Sequence, residues 1–131
     1  MDLEIIKIAS NTDNVKTINN YTHHSKYKNK LCGDEIEIYL KINNEKIKDV
    51  AYKTNSCVYC QASATLLSKK IKKKNINKVR MLLVNLMNFF ESDNFKPSKE
   101  LLYFKKIMAK KYILRKDCIL LPFKALEKAI K

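Results

Sequence analysis

Arginine is nearly missing from this 131-residue chain: Arg80 and Arg115 are the only two among 27 basic side chains, and the rest are lysines. That scarcity bears on the net charge of +14. Proteins that read base edges rely on arginine's planar fork, and no aromatic stacking motif is interleaved with these lysines. The charge therefore reads as a solvated lysine surface that steers acidic partners, and nucleic-acid binding is not the expected function. Long apolar runs are also lacking. None approaches the roughly 20 residues that span a bilayer. The opening stretch MDLEIIKIAS shows neither a basic leader nor a long hydrophobic core. The expectation is a cytoplasmic chain with reduced thiols and no membrane partner. In such a chain four cysteines point to metal or catalysis more than to a disulfide framework. Hydrophobic residues make up 46%, which excludes compositional disorder. Repeats and internal boundaries are absent, so one domain over residues 1–131 is expected, large enough to bury a single core.

The apolar pattern gives an order of elements. Residues 1–10 read as a short amphipathic helix with Leu3, Ile6 and Ile5 on its apolar side. A polar, Asn-rich stretch through residue 30 follows, with room for one short edge strand. In EIEIYLKI, Ile36, Ile38, Leu40 and Ile42 alternate with Glu35, Glu37, Tyr39 and Lys41, the period of a half-buried strand. NNEK, residues 43–46, reads as a turn, and IKDVAYKT, residues 47–54, as the returning strand of an antiparallel hairpin. Thr54, Asn55 and Ser56 offer N-caps for a helix beginning near Cys57, on which Cys60, Ala64, Leu67 and Ile71 fall at helical spacing. The run KKIKKKNINK is expected to carry that helix into solvent. Residues 76–91 predict a strongly apolar core helix. Pro97 and Ser98 suit the start of another, carrying Leu101, Leu102, Phe104, Ile107 and Met108. The last helix should run from about Cys118 to Lys131, with Pro122 tolerated only in its first turn. A hairpin followed by helices is α+β: a small antiparallel sheet, hairpin plus short edge strand, against about four to five helices.

The chain's one glycine, Gly33, sits in LCGDE between Cys32 and Asp34. Glycine there admits a positive φ, so two ligand-type side chains can turn toward one point. Cys32 precedes the first hairpin strand and Cys57 follows the second, so antiparallel pairing brings Cys32, Asp34 and Cys57 side by side. Cys57 falls at a helix N-terminus, where the dipole favours a thiolate, and Cys118 likewise opens a helix. Three thiolates and a carboxylate suit tetrahedral zinc or an iron–sulfur cluster. Plainer readings stand beside this one. A lone cysteine is most often a small buried hydrophobe. For Cys60 that reading is preferred, because its helical partners explain it; the alternatives are a fourth ligand or an auxiliary thiol that passes sulfur on. Asp34 has an alternative as a turn cap, and His23 and His24 read as surface residues. A thioredoxin-type redox pair in CVYC wants a strand–CxxC–helix inside a βαβ unit, and the preceding hairpin is the wrong context.

In this order the residues resemble the IscU/SufU/NifU-type iron–sulfur cluster scaffolds. Members carry Cys-Gly-Asp before the first long strand, a cysteine at the end of the next strand with a small-residue helix behind it, and a third cysteine opening the C-terminal helix. Here these are Cys32-Gly33-Asp34, Cys57 followed by QASATLLS, and Cys118 in CILLPFKALEKAI. The resemblance covers residues 30–74 and 115–131 well and the N-terminal part loosely. The interval from Cys32 to Cys57 is ordinary for the family. The longer one from Cys57 to Cys118 is similar to the SufU branch, as is Arg115 shortly before Cys118. There are departures. Asp117 stands where IscU members have a histidine, the LPPVK chaperone-recognition motif is missing, Ser56 replaces a glycine, and Cys60 is an addition.

What the resemblance implies is a SufE/IscU-like fold and a protein that takes persulfide sulfur from a pyridoxal-phosphate cysteine desulfurase. The implied ligands are Cys32, Asp34, Cys57 and Cys118, holding zinc or a [2Fe–2S] cluster, with Cys60 as an alternative ligand. By the same resemblance Cys118 is the sulfur acceptor and Arg115 is available to pair with a displaced Asp34. Cluster carriers or apo-proteins would lie downstream. As an enzyme, the implied role is a scaffold without turnover or, if SufU-like, a zinc-dependent sulfurtransferase. The rival reading is a zinc-stabilised basic binding module with no sulfur traffic.

Overall fold

The structure is a computed structural model that describes residues 2–91 and 99–131. It is α+β. The described elements are α1 (Leu3–Ala9), β1 (His23–Lys28), β2 (Glu35–Asn43), β3 (Lys46–Asn55), α2 (Val58–Ile71), α3 (Ile76–Glu91), two 3₁₀ helices (Lys99–Ile107 and Lys110–Arg115) and α4 (Lys116–Ile130). The strands form one antiparallel sheet in the order β1-β2-β3. The predicted hairpin and edge strand are both present.

Alternation decides which face of the sheet is covered. Ile36, Ile38 and Leu40 of β2 and Ile47, Val50 and Tyr52 of β3 are buried. They face α2 and α4, which pack against each other and against the strands. A register shift between Lys41 and Ile42 breaks the alternation, and Ile42 ends half buried. The hairpin turn has Asn44 at φ 51° and Glu45 at φ 62°, the two-residue geometry that matches strand twist.

α2 is buried nearly all round, and its small residues allow close approach of its neighbours. Ser63 Oγ donates to the Ile119 carbonyl of α4 at 2.6 Å, and Asn14 Nδ2 donates to Ser68 Oγ at 3.1 Å. Among the described residues no helix is long and apolar enough to cross a membrane.

Several expectations need correction. In α1 only Ile5 is buried, while Leu3 is 80% exposed. The docked stripe is Ile5, Ile8 and Ala9, at i, i+3 and i+4, and Leu3 and Ile6 fall off it. α2 does not run on into solvent. It stops at Ile71, with Lys73 at φ 69°, because the turn after it is pinned to the hairpin: Lys73 N–H donates to the Ile47 carbonyl at 2.7 Å, and Ile47 N–H donates to the Lys74 carbonyl at 2.9 Å. The helix expected to carry Leu101, Leu102, Phe104, Ile107 and Met108 winds as 3₁₀ over Lys99–Ile107. Leu101, Phe104 and Ile107 recur every third residue, the 3₁₀ period, and all three are fully buried, whereas Leu102 is exposed. The expected start at Pro97 and Ser98 lies outside the described residues. α4 begins at Lys116, fed directly by the second 3₁₀ helix, so Pro122 lies inside it rather than in its first turn. A proline there leaves the Cys118 carbonyl without its α-helical donor.

Candidate metal centre

The loop before β2 is built around Asn29 and Gly33. The Asn29 carboxamide oxygen accepts from Leu31 N–H at 2.9 Å, the Asn29 carbonyl accepts from Gly33 N–H at 2.9 Å, and Asn29 N–H donates to the Asp34 carbonyl at 2.8 Å. Closing so tight a loop puts Gly33 at φ 78°. A Cβ at Gly33 would meet nothing within 4 Å, so glycine is required there by backbone conformation rather than by space. The loop delivers Cys32 and Asp34 to one side. Antiparallel pairing of Glu35 with Asn55 then sets that side beside the start of α2.

Cys57 is the N-cap residue of α2, and its N–H donates to Asp34 Oδ2 at 3.2 Å. The carboxylate thus sits at the positive end of a helix dipole. From the far end of the sequence the first turn of α4 brings Cys118. One ligand atom from each of Cys32, Asp34 and Cys118 lies within 4.8 Å of the other two. Cys57 joins through Cys118, with which its thiol makes a hydrogen-bonding contact. Cys32 is exposed, Cys57 half buried and Cys118 buried. Burial pushes the Cys118 thiol up, and the neighbouring Cys57 thiol and the charges of Asp34 and Cys32 push it further. Negative groups converge here on a buried sulfur, the arrangement that a cation reverses. The donor set, thiolate sulfur plus one carboxylate, fits zinc or an iron–sulfur cluster.

The other candidate residues stand apart. Cys60 is fully buried. The hydroxyls of Ser56 and Thr54 hydrogen-bond its sulfur, and burial holds its thiol at about 12. It is not one of the three donors within mutual reach. The Arg115 guanidinium lies 5.4 Å over the Tyr59 ring, and Tyr59 in turn packs against Tyr112 at 5.4 Å. The Tyr112 hydroxyl donates to Asp2, which also pairs with Lys111 at 2.9 Å and caps α1. Sequence reasoning missed this chain from Asp2 to Arg115. Tyr59 lies inside CVYC, but nothing in the motif says that its ring meets a guanidinium. Asp117 lines a surface groove with Asn29, Lys30 and Leu31. On β1, His24 pairs with Glu37 at 2.8 Å, and both histidines lie opposite the middle of β2, away from Asp34.

Fold and donors together define a class: a small α+β protein that gathers cysteines and an aspartate where a hairpin end meets two helix starts. The chain belongs to the NifU-like N-terminal domain family, whose model matches residues 2–92. That stretch holds Cys32, Asp34 and Cys57, and Cys118 lies beyond it. The iron–sulfur cluster assembly scaffold protein IscU of Thermotoga maritima is 32% identical over 104 residues, 79% of this chain and 73% of the relative. The zinc-dependent sulfurtransferase SufU of Bacillus subtilis is 25% identical over 103 residues, 78% of this chain and 70% of the relative. The solved structure of FiSufU from Fervidobacterium islandicum AW-1 superposes with TM-score 0.85 at 25% identity, over all of this chain and 96% of that one.

Proposed function

We propose that this protein is an iron–sulfur cluster assembly scaffold, which accepts persulfide sulfur from a cysteine desulfurase and supports [2Fe–2S] formation and transfer. One observation carries the reading: ligand atoms from the loop before β2 and from a helix start far along the chain lie within 4.8 Å of one another. The cluster is cargo, held by Cys32, Asp34, Cys57 and Cys118. A resident metal ion, when bound, keeps the thiols deprotonated.

The residues have separable tasks. Cys118 is the sulfur acceptor: its thiolate attacks the sulfane sulfur of the partner's persulfide, a new S–S bond forms, and the partner's cysteine leaves as thiolate. Asp34 is the oxygen donor that lets go most readily, and the Cys57 N–H holds it in place meanwhile. Arg115, resting on Tyr59, is a cation able to receive the displaced carboxylate. Leu31 and Leu114, the chain neighbours of Cys32 and Arg115, are 91% and 95% exposed, apolar side chains that a donor protein can cover. Cluster carriers or apo-proteins would take the product from the same side. Cys60 packs and does not ligate.

The deciding experiment is anaerobic incubation with a cysteine desulfurase, cysteine and ferrous iron, followed by metal and acid-labile sulfide analysis. Labile sulfide and a brown colour are expected, and their loss in Cys32→Ser and Cys57→Ser. Asp34→Ala should make the cluster more persistent, whereas in a purely structural zinc site it would only weaken zinc. If Cys118→Ala accepts labelled sulfur from the desulfurase at the wild-type rate, the acceptor is another thiol.

A further inference from the structure

Tyr59 and Arg115 join the two helix starts that deliver thiols. Tyr59 is the second residue of α2, two positions after Cys57, and Arg115 is the N-cap residue of α4, three positions before Cys118. The guanidinium carbon lies 5.4 Å over the Tyr59 ring, within cation–π range. Among the described residues no carboxylate pairs with Arg115. The core does not confine it either: Arg115 is exposed, and Ile113 and Leu114 before it are 68% and 95% exposed. The ring, by contrast, is braced. Tyr59 is half buried and packs on the Tyr112 ring at 5.4 Å. Tyr112 is the one buried side chain among the described residues of the second 3₁₀ helix, and its hydroxyl donates to Asp2. Asp2 is fixed from two more sides, accepting from Glu4 N–H at 2.9 Å and pairing with Lys111 at 2.9 Å.

We propose that Tyr59 is a positioning residue, whose ring holds the Arg115 guanidinium between the starts of α2 and α4 with its charge free for an anion. The reason is the kind of bond. A ring attracts a cation without neutralising it, whereas an ion pair here would consume the charge. The hold is also light. At an exposed position such a contact shifts the population about two- to fivefold, and a forked, charge-assisted pair with a carboxylate is stronger. The guanidinium therefore stays on the ring until a carboxylate becomes free, and then transfers to it. Asp2 and Tyr112 act one step further back, fixing the ring on which the cation rests. This inference rests on the proposed function only for the identity of the anion, the carboxylate of Asp34 once it is displaced.

Because the chain has only two arginines, Arg115 is its own reporter. Its side-chain NMR signals are read in the full metal-free protein and assigned against Arg80→Lys. They should be displaced by the ring in the wild type and in Tyr59→Phe, and return to the coil position in Tyr59→Leu. Tyr112→Phe, which frees the ring pair from Asp2, should lose part of the displacement. The second arm is the rate at which the zinc-loaded chain takes labelled sulfur from a cysteine desulfurase. Tyr59→Leu should slow it about two- to fivefold, with zinc affinity unchanged, and Tyr59→Phe should restore it. In an Arg115→Ala background Tyr59→Leu should cost nothing further, because the ring acts only through the guanidinium. Tyr59→Met serves if the leucine variant fails to fold. Undisplaced Arg115 signals in the wild type, or a displacement that survives Tyr59→Leu, would overturn the proposal. So would wild-type transfer by Tyr59→Leu, or an equal loss in the Arg115→Ala background, which would make Tyr59 a packing residue alone. A wild-type chain that takes no sulfur overturns the scaffold reading instead, and the NMR arm still decides whether the ring holds the cation.

Discussion

Gly33 shows how one backbone angle organises a set of candidate ligands. Its φ of 78° turns the loop so that Cys32 and Asp34 face the start of α2. Gly33→Ala meets no steric obstacle, since nothing lies within 4 Å of the added carbon. It should still cost about 1 kcal/mol of stability, because an L side chain disfavours that conformation. The loop relaxes away from it, so zinc affinity, measured by competition with a chromophoric chelator, is expected to fall as well. Cys60 gives the opposite result. It is fully buried, and its thiol is held at about 12, so it stays protonated at neutral pH. Cys60→Ala should leave metal stoichiometry intact and lower stability by about 1–2 kcal/mol in urea unfolding. Iodoacetamide mapping of the metal-free protein should label Cys32 well before Cys60. Equal labelling would mean that Cys60 reaches solvent as a relay thiol must.

At the scale of elements, the hairpin is the frame that carries the site. Its turn places Glu45, a non-glycine residue, at φ 62°, while the Glu45 carbonyl accepts from Ile76 N–H at 2.7 Å and ties the turn to α3. Glu45→Gly keeps that carbonyl and relieves the left-handed backbone cost. It is expected to raise stability by about 0.5–1 kcal/mol, visible as a higher melting temperature with metal binding unchanged. A fall in melting temperature would show that the glutamate side chain contributes more than the backbone loses. The 3₁₀ stretch over Lys99–Ile107 follows the same logic of period and packing. Its buried residues recur every third position, and Phe104 meets Phe123 of α4 edge-on at 5.8 Å. That contact helps seat α4, whose first turn carries Cys118.

For the whole molecule, the site is a long-range clasp between the loop before β2 and the start of α4. A ligand that binds only the closed arrangement stabilises the fold by mass action. Zinc at about a thousand times its dissociation constant should add about 4 kcal/mol, a rise of roughly 15 °C in melting temperature for a chain of this size. Asp34→Ala and Cys118→Ser should each lose much of that rise, and Cys60→Ala should retain it. Calorimetry with and without the metal measures all four. A rise that survives Cys118→Ser would mean that the clasp is not formed through α4.

Much of this was legible in the chain itself, and the reason is locality. The β2–β3 hairpin follows from strict alternation in Glu35–Ile42, the end of α2 that bears Cys57 from the strand before it, and the Cys32-Gly33-Asp34 loop from covalent neighbours whose geometry one glycine sets. These depend on residues a few positions apart, so the sequence by itself determined them. Tertiary structure decided the rest. Which face of α1 is covered, where α2 stops, and whether Leu101–Ile107 winds as α or 3₁₀ were settled by surfaces contributed from elsewhere in the chain. The distance from Cys118 to Cys32, the seat of Cys60 among buried side chains and the stacking of Arg115 on Tyr59 were settled the same way. Contacts between distant residues are a property of how whole elements pack, and no local pattern of residue types encodes them.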